Sequence, residues 1–241
     1  TTRLRPVRRP SLDRPAVHDP ILFSFPETDV PAPALLVTGL VFGYSTGFRS
    51  DPATFSVPTG QRIGFFGLNG AGKSTLLRTL SGELPPISGT IDRSGELVIG
   101  NLMQEHEDID RVKTPVQIFE RRFGEEAEEK LRILLHQFRF SIDLAETRVK
   151  YLSPGERVRV ALALLIASGA NALFFDEPTN HLDLETIEAM EEALEDFSGT
   201  IVLVTHDRRF IEQMRLDTLF LIEQGKIEPL ASLEAYRERL M

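Results

Sequence analysis

The sequence contains no cysteine and no tryptophan among its 241 residues. Without cysteine the chain has neither disulfides nor thiolate zinc sites, which weakly favours an intracellular protein. No apolar run approaches the ~20 residues of a membrane-spanning helix, so we predict no membrane insertion. With 41% hydrophobic residues the chain is long enough to bury a core, and we expect one domain with at most a small subdomain.

Acidic residues outnumber basic ones, with 36 Asp and Glu against 27 Lys and Arg, so the net charge is −9. That balance argues against a surface that coats nucleic acid. The first residues depart from it, since five arginines stand there against Asp13 alone: Arg3, Arg5, Arg8, Arg9 and Arg14. This stretch is rich in proline, so we predict that residues 1–33 form a largely extended linker or basic arm. Two interpretations stay open, a solvated arm or a segment that contacts RNA phosphates.

Residues 67–75, GLNGAGKST, match the phosphate-loop pattern G-x-x-x-x-G-K-[ST]. An apolar run precedes the motif and a helix-like run follows it as far as Gly82, which is the strand–loop–helix context that the motif requires. The glycines let backbone N–H groups approach phosphates, and the helix N-terminus adds positive potential. Lys73 is expected at the terminal phosphates and Ser74 at Mg²⁺. The remaining loop residues expected at the phosphates are Gly67, Asn69, Gly70, Ala71, Gly72 and Thr75.

Apolar runs elsewhere predict an α/β domain over residues 34–241. Residues 35–41 begin it as a strand, and residues 54–57 and 61–66 indicate a strand pair joined by a Pro-Thr-Gly turn. From about residue 114 to 168 helical periodicity replaces the strand signals, so we predict a helical subdomain over about 105–168. Tyr44 is predicted either to stack on a nucleotide base or to be an ordinary packed tyrosine. Gln104 stands at the end of a predicted strand.

Residues 152–156, LSPGE, predict a helix start. Ser153 can cap the helix, Pro154 suits its first position and Glu156 completes a capping box, so these three residues need no ligand. Gly155 is not explained in this way, because glycine in a first turn costs stability. It would be useful if a phosphate had to approach the backbone closely.

Adjacent carboxylates, Asp176 and Glu177, end a predicted buried strand. Such a pair is costly unless it serves chemistry, and a metal ligand beside a general base explains it. Asp183 is predicted to cap the next helix. His206 ends a further buried strand of the same predicted sheet. These positions fit the rule that α/β sites lie at the carboxyl ends of strands.

Taken in order, these motifs resemble those of an ATP-binding-cassette (ABC) ATPase domain over about residues 34–241. The resemblance implies a P-loop NTPase fold with a mixed β-sheet core and a helical subdomain. It also implies ATP and Mg²⁺ as cofactors and hydrolysis of ATP to ADP and phosphate. The matching family motifs are Walker A at the phosphate loop, the Q-loop at Gln104, the signature at 152–156, Walker B at Asp176-Glu177 and the switch histidine at His206.

The resemblance also implies roles for single residues. Ser153 and Gly155 would bind the γ-phosphate of a nucleotide held by a second cassette, with Asp183 as the D-loop aspartate at the same interface. The residues implied to act within one cassette are Tyr44 for adenine stacking, Lys73 for the β- and γ-phosphates, His206 for the γ-phosphate, Glu177 for the attacking water, and Ser74, Gln104 and Asp176 for Mg²⁺. Pro154 and Glu156 depart from the usual glycine and glutamine of the signature, and Pro154 lacks an N–H that could contact phosphate.

Three stretches resemble the ABC-F branch, namely EPTNHLD at 177–183, THDRRF at 205–210 and FSFPE at 23–27. Members of that branch carry two cassettes and no membrane domain. They act in the cytoplasm on the translating ribosome, near its tRNA exit site, and some protect ribosomes against antibiotics. The resemblance therefore implies a C-terminal cassette with the end of the linker, whose partners are a second cassette and the ribosome with its rRNA and tRNA. The alternative is the nucleotide-binding subunit of an ABC membrane transporter.

Overall fold

The computed structural model describes residues 34–102, 109–136, 138, 140–180 and 182–240. The predictions for residues 1–33 and Gln104 lie outside these ranges, as does His181 in the motif at 177–183. Within the described residues, no helix is long and apolar enough to cross a membrane.

The larger sheet has the strand order β5-β6-β7-β3-β8-β9. It is mixed, because its strands run parallel except for β9, which pairs antiparallel with β8. Its strands are β3 (Arg62–Phe66), β5 (Ile99–Asn101), β6 (Ala172–Asp176), β7 (Thr200–Val204), β8 (Thr218–Glu223) and β9 (Lys226–Leu230). Every residue of β7 is buried, as expected of a central strand covered on both faces. The mixed sheet predicted from the sequence is thus confirmed.

The smaller sheet is antiparallel and has the order β2-β1-β4, formed by β1 (Leu35–Val41), β2 (Ala53–Val57) and β4 (Ser88–Arg93). The predicted pairing of residues 54–57 with 61–66 is therefore wrong, because the turn between them joins two sheets. The burial patterns give the reason. β2 alternates between buried and exposed residues, which suits a half-solvated antiparallel strand, whereas β3 is almost wholly buried and suits a parallel centre.

Helices cover both faces of the larger sheet. The α-helices of the described residues are α1 (Lys73–Ser81), α2 (Pro115–Phe123), α3 (Ala127–His136), α4 (Ile142–Ala145), α5 (Pro154–Ala167), α6 (Leu184–Glu195), α7 (Arg208–Met214) and α8 (Leu233–Leu240). Side chains alternate along the strands, so Leu173 and Phe175 of β6 join the core with α5, while Ala172 and Phe174 join the core with α1. The sheet therefore lies between two apolar layers.

Candidate nucleotide site

The carboxyl ends of β3, β6 and β7 lie level at one edge of the larger sheet. Phe65 of β3 and Asp176 of β6 are both opposite Val204 of β7. The phosphate loop follows β3, Glu177 follows β6, and Thr205-His206 follows β7. Parallel strands bring the loops after their carboxyl ends together, so the fold joins three motifs that are far apart in the sequence.

The phosphate loop needs glycine at its two ends. Gly67 has a φ of 155°, and a Cβ there would collide with the backbone oxygen of Ile222 on β8. Gly72 is the N-cap of α1 in the left-handed region, with a φ of 97°, and a Cβ there would collide with the ring of Phe48. The loop is therefore packed tightly against β8 on one side and against the 43–49 hairpin on the other, which fixes its path into α1.

Lys73 is the first residue of α1 and is only 7% exposed. Its Nζ donates hydrogen bonds to the backbone oxygens of Gly67 at 2.9 Å and Leu68 at 3.1 Å. Burial lowers the pKa of Lys73 from its ordinary value, while the charges of Glu177 and Asp176 act in the opposite direction. Since an ammonium has three donors, two are used within the loop and one is left for a phosphate oxygen.

Ser74 and Asp176 meet beside this lysine. The Ser74 hydroxyl donates a hydrogen bond of 3.0 Å to Oδ1 of Asp176. A hydroxyl and a carboxylate oxygen are the ligands that Mg²⁺ prefers, and Mg²⁺ takes one or two protein ligands with the rest from phosphates and water. A hydroxyl and a carboxylate are therefore a donor set that fits a Mg²⁺ bound together with a polyphosphate. The described residues contain no group of three or more His, Cys, Asp or Glu that could hold a metal.

Glu177 is held by His206 from two sides. Its Oε1 lies 3.1 Å from Nε2 of His206, and its Oε2 accepts a hydrogen bond of 3.1 Å from the His206 backbone N–H. Glu177 also has a φ of 49°, a left-handed conformation that costs a residue with a side chain about 1–3 kcal/mol. A bond of 2.7 Å from its own N–H to the oxygen of Val204 keeps it there. A strained, fixed carboxylate at the strand edge suits a base that takes a proton from water.

Tyr44 lies in the hairpin before the phosphate loop and is 46% exposed. Its N–H donates to the oxygen of Phe48 at 2.9 Å, so the hairpin closes around it. The exposed ring is free to receive a base, and stacking stays a prediction. Sequence reasoning missed Phe48, the residue that packs against Gly72. The available signal was a second aromatic within the same hairpin.

Ser153, Gly155 and Asp183 form a separate signature group. Ser153 caps α5 with the capping box that the sequence predicts, since its side chain accepts from Glu156 N–H and Glu156 accepts from Ser153 N–H. Asp183 caps α6 by accepting a hydrogen bond of 2.8 Å from Thr186 N–H, and hydrogen bonding with Thr186 lowers the pKa of Asp183. A Cβ on Gly155 would meet Thr186 and Ala189 at 3.4 Å, an ordinary packing distance.

The five residues Lys73, Ser74, Asp176, Glu177 and His206 are called the phosphate-loop cluster below. Hydrogen bonds connect Ser74 with Asp176 and Glu177 with His206, and the charges of both acids act on Lys73. Within the ranges that the structure describes, no hydrogen bond or ion pair links this cluster to the signature group. The expectations for Gln104 lie outside those ranges.

Comparison with known proteins agrees with this geometry. The family described as "ABC transporter" matches residues 50–180. The "Probable ATP-binding protein YheS" of Escherichia coli K12 is 38% identical over 244 residues, which cover 99% of this chain and 38% of the relative. "ATP-binding cassette sub-family F member 2" of Bos taurus is 34% identical over 90% of this chain and 36% of its own length. "Energy-dependent translational throttle protein EttA" of Escherichia coli O6:H1 is 35% identical over 86% of this chain and 39% of its own length. The chain spans less than two fifths of each of these relatives.

Two solved structures share the fold. One is cbiO1 of Clostridium perfringens, described as part of the ABC transporter complex cbiONQ, with a TM-score of 0.71 at 24% identity over 86% of this chain and 92% of that one. The other is the ATP-binding cassette MJ0796 in a dimeric post-hydrolysis state bound to ADP and Pi. Its TM-score is 0.61 at 21% identity, over 82% of this chain and 99% of that one. These structures confirm the predicted cassette fold. The similar proteins include a member of sub-family F, as the sequence motifs indicate. This chain belongs to the ABC transporter family of ATP-binding cassettes.

Proposed function

We propose that this chain is the ATP-binding and ATP-hydrolysing cassette of an ABC-F protein, which works together with a second cassette. The observation that carries the proposal is the phosphate-loop cluster. A buried ammonium, a hydroxyl–carboxylate pair and a carboxylate fixed by histidine converge on the carboxyl edge of β3, β6 and β7. This is the set of groups that phosphoryl transfer to water requires.

Each residue of the cluster then has a defined task. Lys73 and the backbone N–H groups of the loop hold the phosphates and stabilise negative charge on them. Ser74 and Asp176 would hold Mg²⁺, which neutralises phosphate charge when it is bound. Glu177 accepts the proton of a water whose oxygen attacks the γ-phosphorus, as the bond from that phosphorus to the ADP oxygen breaks. His206 fixes the Glu177 carboxylate and would contact the γ-phosphate. Tyr44 would stack on adenine, and Gln104 would serve Mg²⁺ and water.

The signature group would complete the site of another cassette. Ser153 and Gly155 lie at the N-terminus of the 14-residue helix α5, where the helix dipole favours a phosphate. Asp183 lies next to them, because its capping partner Thr186 packs on Gly155. The dimeric state named for MJ0796 and the greater length of the curated relatives support a second cassette as the partner.

The ribosome is the proposed target of the complete protein. EttA carries the name of a translational throttle, and sub-family F members recur among the relatives. These relatives, together with the motif at 177–183, favour this function over a membrane transporter subunit. We propose cytoplasmic, ATP-gated ribosome binding that acts either in translation regulation or in protection against antibiotics.

Sedimentation of the full-length protein with ribosomes tests the proposal. The Glu177→Gln form should co-sediment with ribosomes in the presence of ATP and remain in the supernatant with ADP. Co-sedimentation that is the same with ATP, with ADP and without nucleotide would overturn ATP gating. No co-sedimentation in any nucleotide state would overturn the ribosome as the target. The ATPase assignment is tested separately, by the single-turnover rate of Glu177→Gln.

A further inference from the structure

Arg62 is the first residue of β3, at the edge of the larger sheet opposite the phosphate-loop cluster. Its guanidinium donates four hydrogen bonds to backbone oxygens at this edge. Nη1 donates to the oxygen of Met214 at 3.2 Å, and Nη2 donates to the oxygens of Leu194 at 2.7 Å, Glu195 at 3.2 Å and Phe197 at 3.3 Å. Neither the motifs nor the proposed catalytic roles account for this arginine.

The four acceptors lie at the far ends of elements that carry candidate site residues. Two of them are the last two residues of α6, whose N-cap is Asp183 of the signature group. Another is the last residue of α7, whose N-cap Asp207 is the neighbour of His206. The acceptor Phe197 lies in the turn between α6 and β7. Arg62 itself begins the strand that leads into the phosphate loop.

Element lengths relate this edge of the sheet to the candidate site. The 12 residues of α6 extend about 18 Å. The 5 residues of β3 extend about 16 Å, which is nearly the same distance. Because a helix keeps its length, a C-terminus that is held beside Arg62 sets the level at which Asp183 lies relative to the phosphate loop. The same reasoning applies to α7 and the loop that carries His206.

A guanidinium suits this contact better than an ammonium. Burial lowers the pKa of Arg62, the charge of Asp217 raises it and that of Arg215 lowers it. Arginine nevertheless stays charged in proteins, and its planar fork offers donors of fixed geometry to several carbonyls at once. The partial negative charge at the C-termini of α6 and α7 adds an attraction to the cation.

The backbone of Arg62 is held separately from its side chain. Its N–H donates to Oδ2 of Asp217 at 2.8 Å, and its oxygen accepts from the N–H of Asp217 at 2.8 Å. Substitution of the side chain therefore leaves the start of β3 tied to the start of β8.

We infer that Arg62 is a positioning residue, whose guanidinium holds the ends of α6 and α7 against the start of β3 and so places Asp183 and His206 relative to the phosphate loop. This role rests on the proposed function and extends the site to the opposite edge of the sheet. Its expected consequence is large, because a displacement of about 1 Å caused far from the reacting atoms can slow a reaction about 10²-fold.

Two substitutions of Arg62 test this role. Arg62→Met removes every donor and keeps an apolar stem, whereas Arg62→Lys keeps the charge and loses the fork. At a fixed high chain concentration and saturating ATP, we expect the single-turnover rate of both folded variants to fall about 10- to 100-fold. The affinity of the dilute chain for ATP should stay at the parent value, because the contacts of Lys73 are untouched. Stability towards denaturant should fall less in Arg62→Lys, since a cation still faces the helix ends.

Leu35→Ala is the matched control for stability. Leu35 is 1% exposed at the start of β1 in the smaller sheet, so its truncation should destabilise the fold while the contacts of Arg62 stay in place. Its single-turnover rate, measured where the variant is fully folded, should equal the parent rate.

Four outcomes would overturn the inference. Parent rates in both Arg62 variants would leave the arginine a merely structural role. A parent rate in Arg62→Lys alone would mean that charge suffices and that the fork positions nothing. Equal slowing in Leu35→Ala would assign the loss to stability, and weakened ATP binding by dilute variants would place the effect on the phosphate loop. If the parent chain itself neither binds nor hydrolyses ATP, the proposed function fails, which is a distinct result.

Discussion

The phosphate-loop cluster and the signature group differ in how much buried charge and backbone strain they contain. The first gathers a buried cation, two carboxylates and a residue in a strained conformation, none of which the fold alone requires. The second consists of two helix caps and a glycine in ordinary packing contact, all of which are satisfied within the chain. The comparison teaches that chemistry is concentrated in one half of the cassette. The signature group is proposed to act on a nucleotide held by another cassette.

Removal of the base should give the largest effect. Glu177→Gln keeps the shape of the side chain and loses its ability to take a proton, so single-turnover hydrolysis should slow roughly 10²–10⁴-fold while ATP binding persists. Glu156→Gln is the matched control in the signature group, because glutamine also completes a capping box. An unchanged single-turnover rate in Glu177→Gln would remove Glu177 from the role of base.

A charge placed in the signature group should come next. Ser153→Asp keeps a good helix cap but brings a carboxylate to the position proposed for a phosphate, so steady-state turnover should fall about 10²–10³-fold. ATP affinity of the dilute chain should remain, since the phosphate-loop cluster is untouched. Ser141→Asp, at the cap of α4, is the control. Weakened ATP binding by dilute Ser153→Asp chains would show that the two halves act within one chain.

Loss of the lysine should weaken the binding of ATP. Lys73→Ala removes a charge-assisted contact and should weaken ATP binding by about 1.5–3 kcal/mol, measured by calorimetry. Bound phosphate should raise the pKa of Lys73, which burial lowers in the free chain from 10.5. Affinity should therefore be full below the pKa of the free chain and fall as the pH rises through it. Lys73→Ala should show no such fall, and equal affinity for both forms would exclude the assignment.

The smallest effect is expected at Gly155. Gly155→Ala places a Cβ at ordinary distance from α6, while alanine favours the helix by up to about 1 kcal/mol. We expect a free energy of unfolding within about 1 kcal/mol of the parent, measured by denaturant titration. A loss of several kcal/mol would mean that the glycine serves the contact between α5 and α6, and the comparison between the two halves would then weaken.

Local signals in the sequence predicted much of this structure. The Ser-Pro-Gly-Glu run predicted the capping box of α5, and α1 ends at Gly82 as predicted. Apolar runs predicted β6 and β7 with the acids and the histidine at their ends. These features depend on neighbours within a few positions, so a single sequence contains them.

Contacts between distant residues could not be predicted in the same way. The sequence placed β2 beside β3, but the pairing partner of β2 is β1, and burial over the whole sheet decides the choice. Tyr236 packs on Phe66 from the far end of the chain, and no local pattern marks that contact. The left-handed conformation of Glu177 is likewise imposed by β7 and His206 rather than by its own residue type.

Mixing two inactive chains tests the central claim, namely that the phosphate-loop cluster of one cassette and the signature group of another form one shared site. Glu177→Gln chains lack a base but keep the signature group, while Ser153→Asp chains lack the signature and keep the base. If sites form between chains, a mixed pair contains one intact site. ATP turnover should then reappear on mixing and rise with the product of the two concentrations. Parent turnover per molecule should rise with concentration as well. Full activity of dilute, monomeric parent, with no recovery in the mixture, would contradict the account.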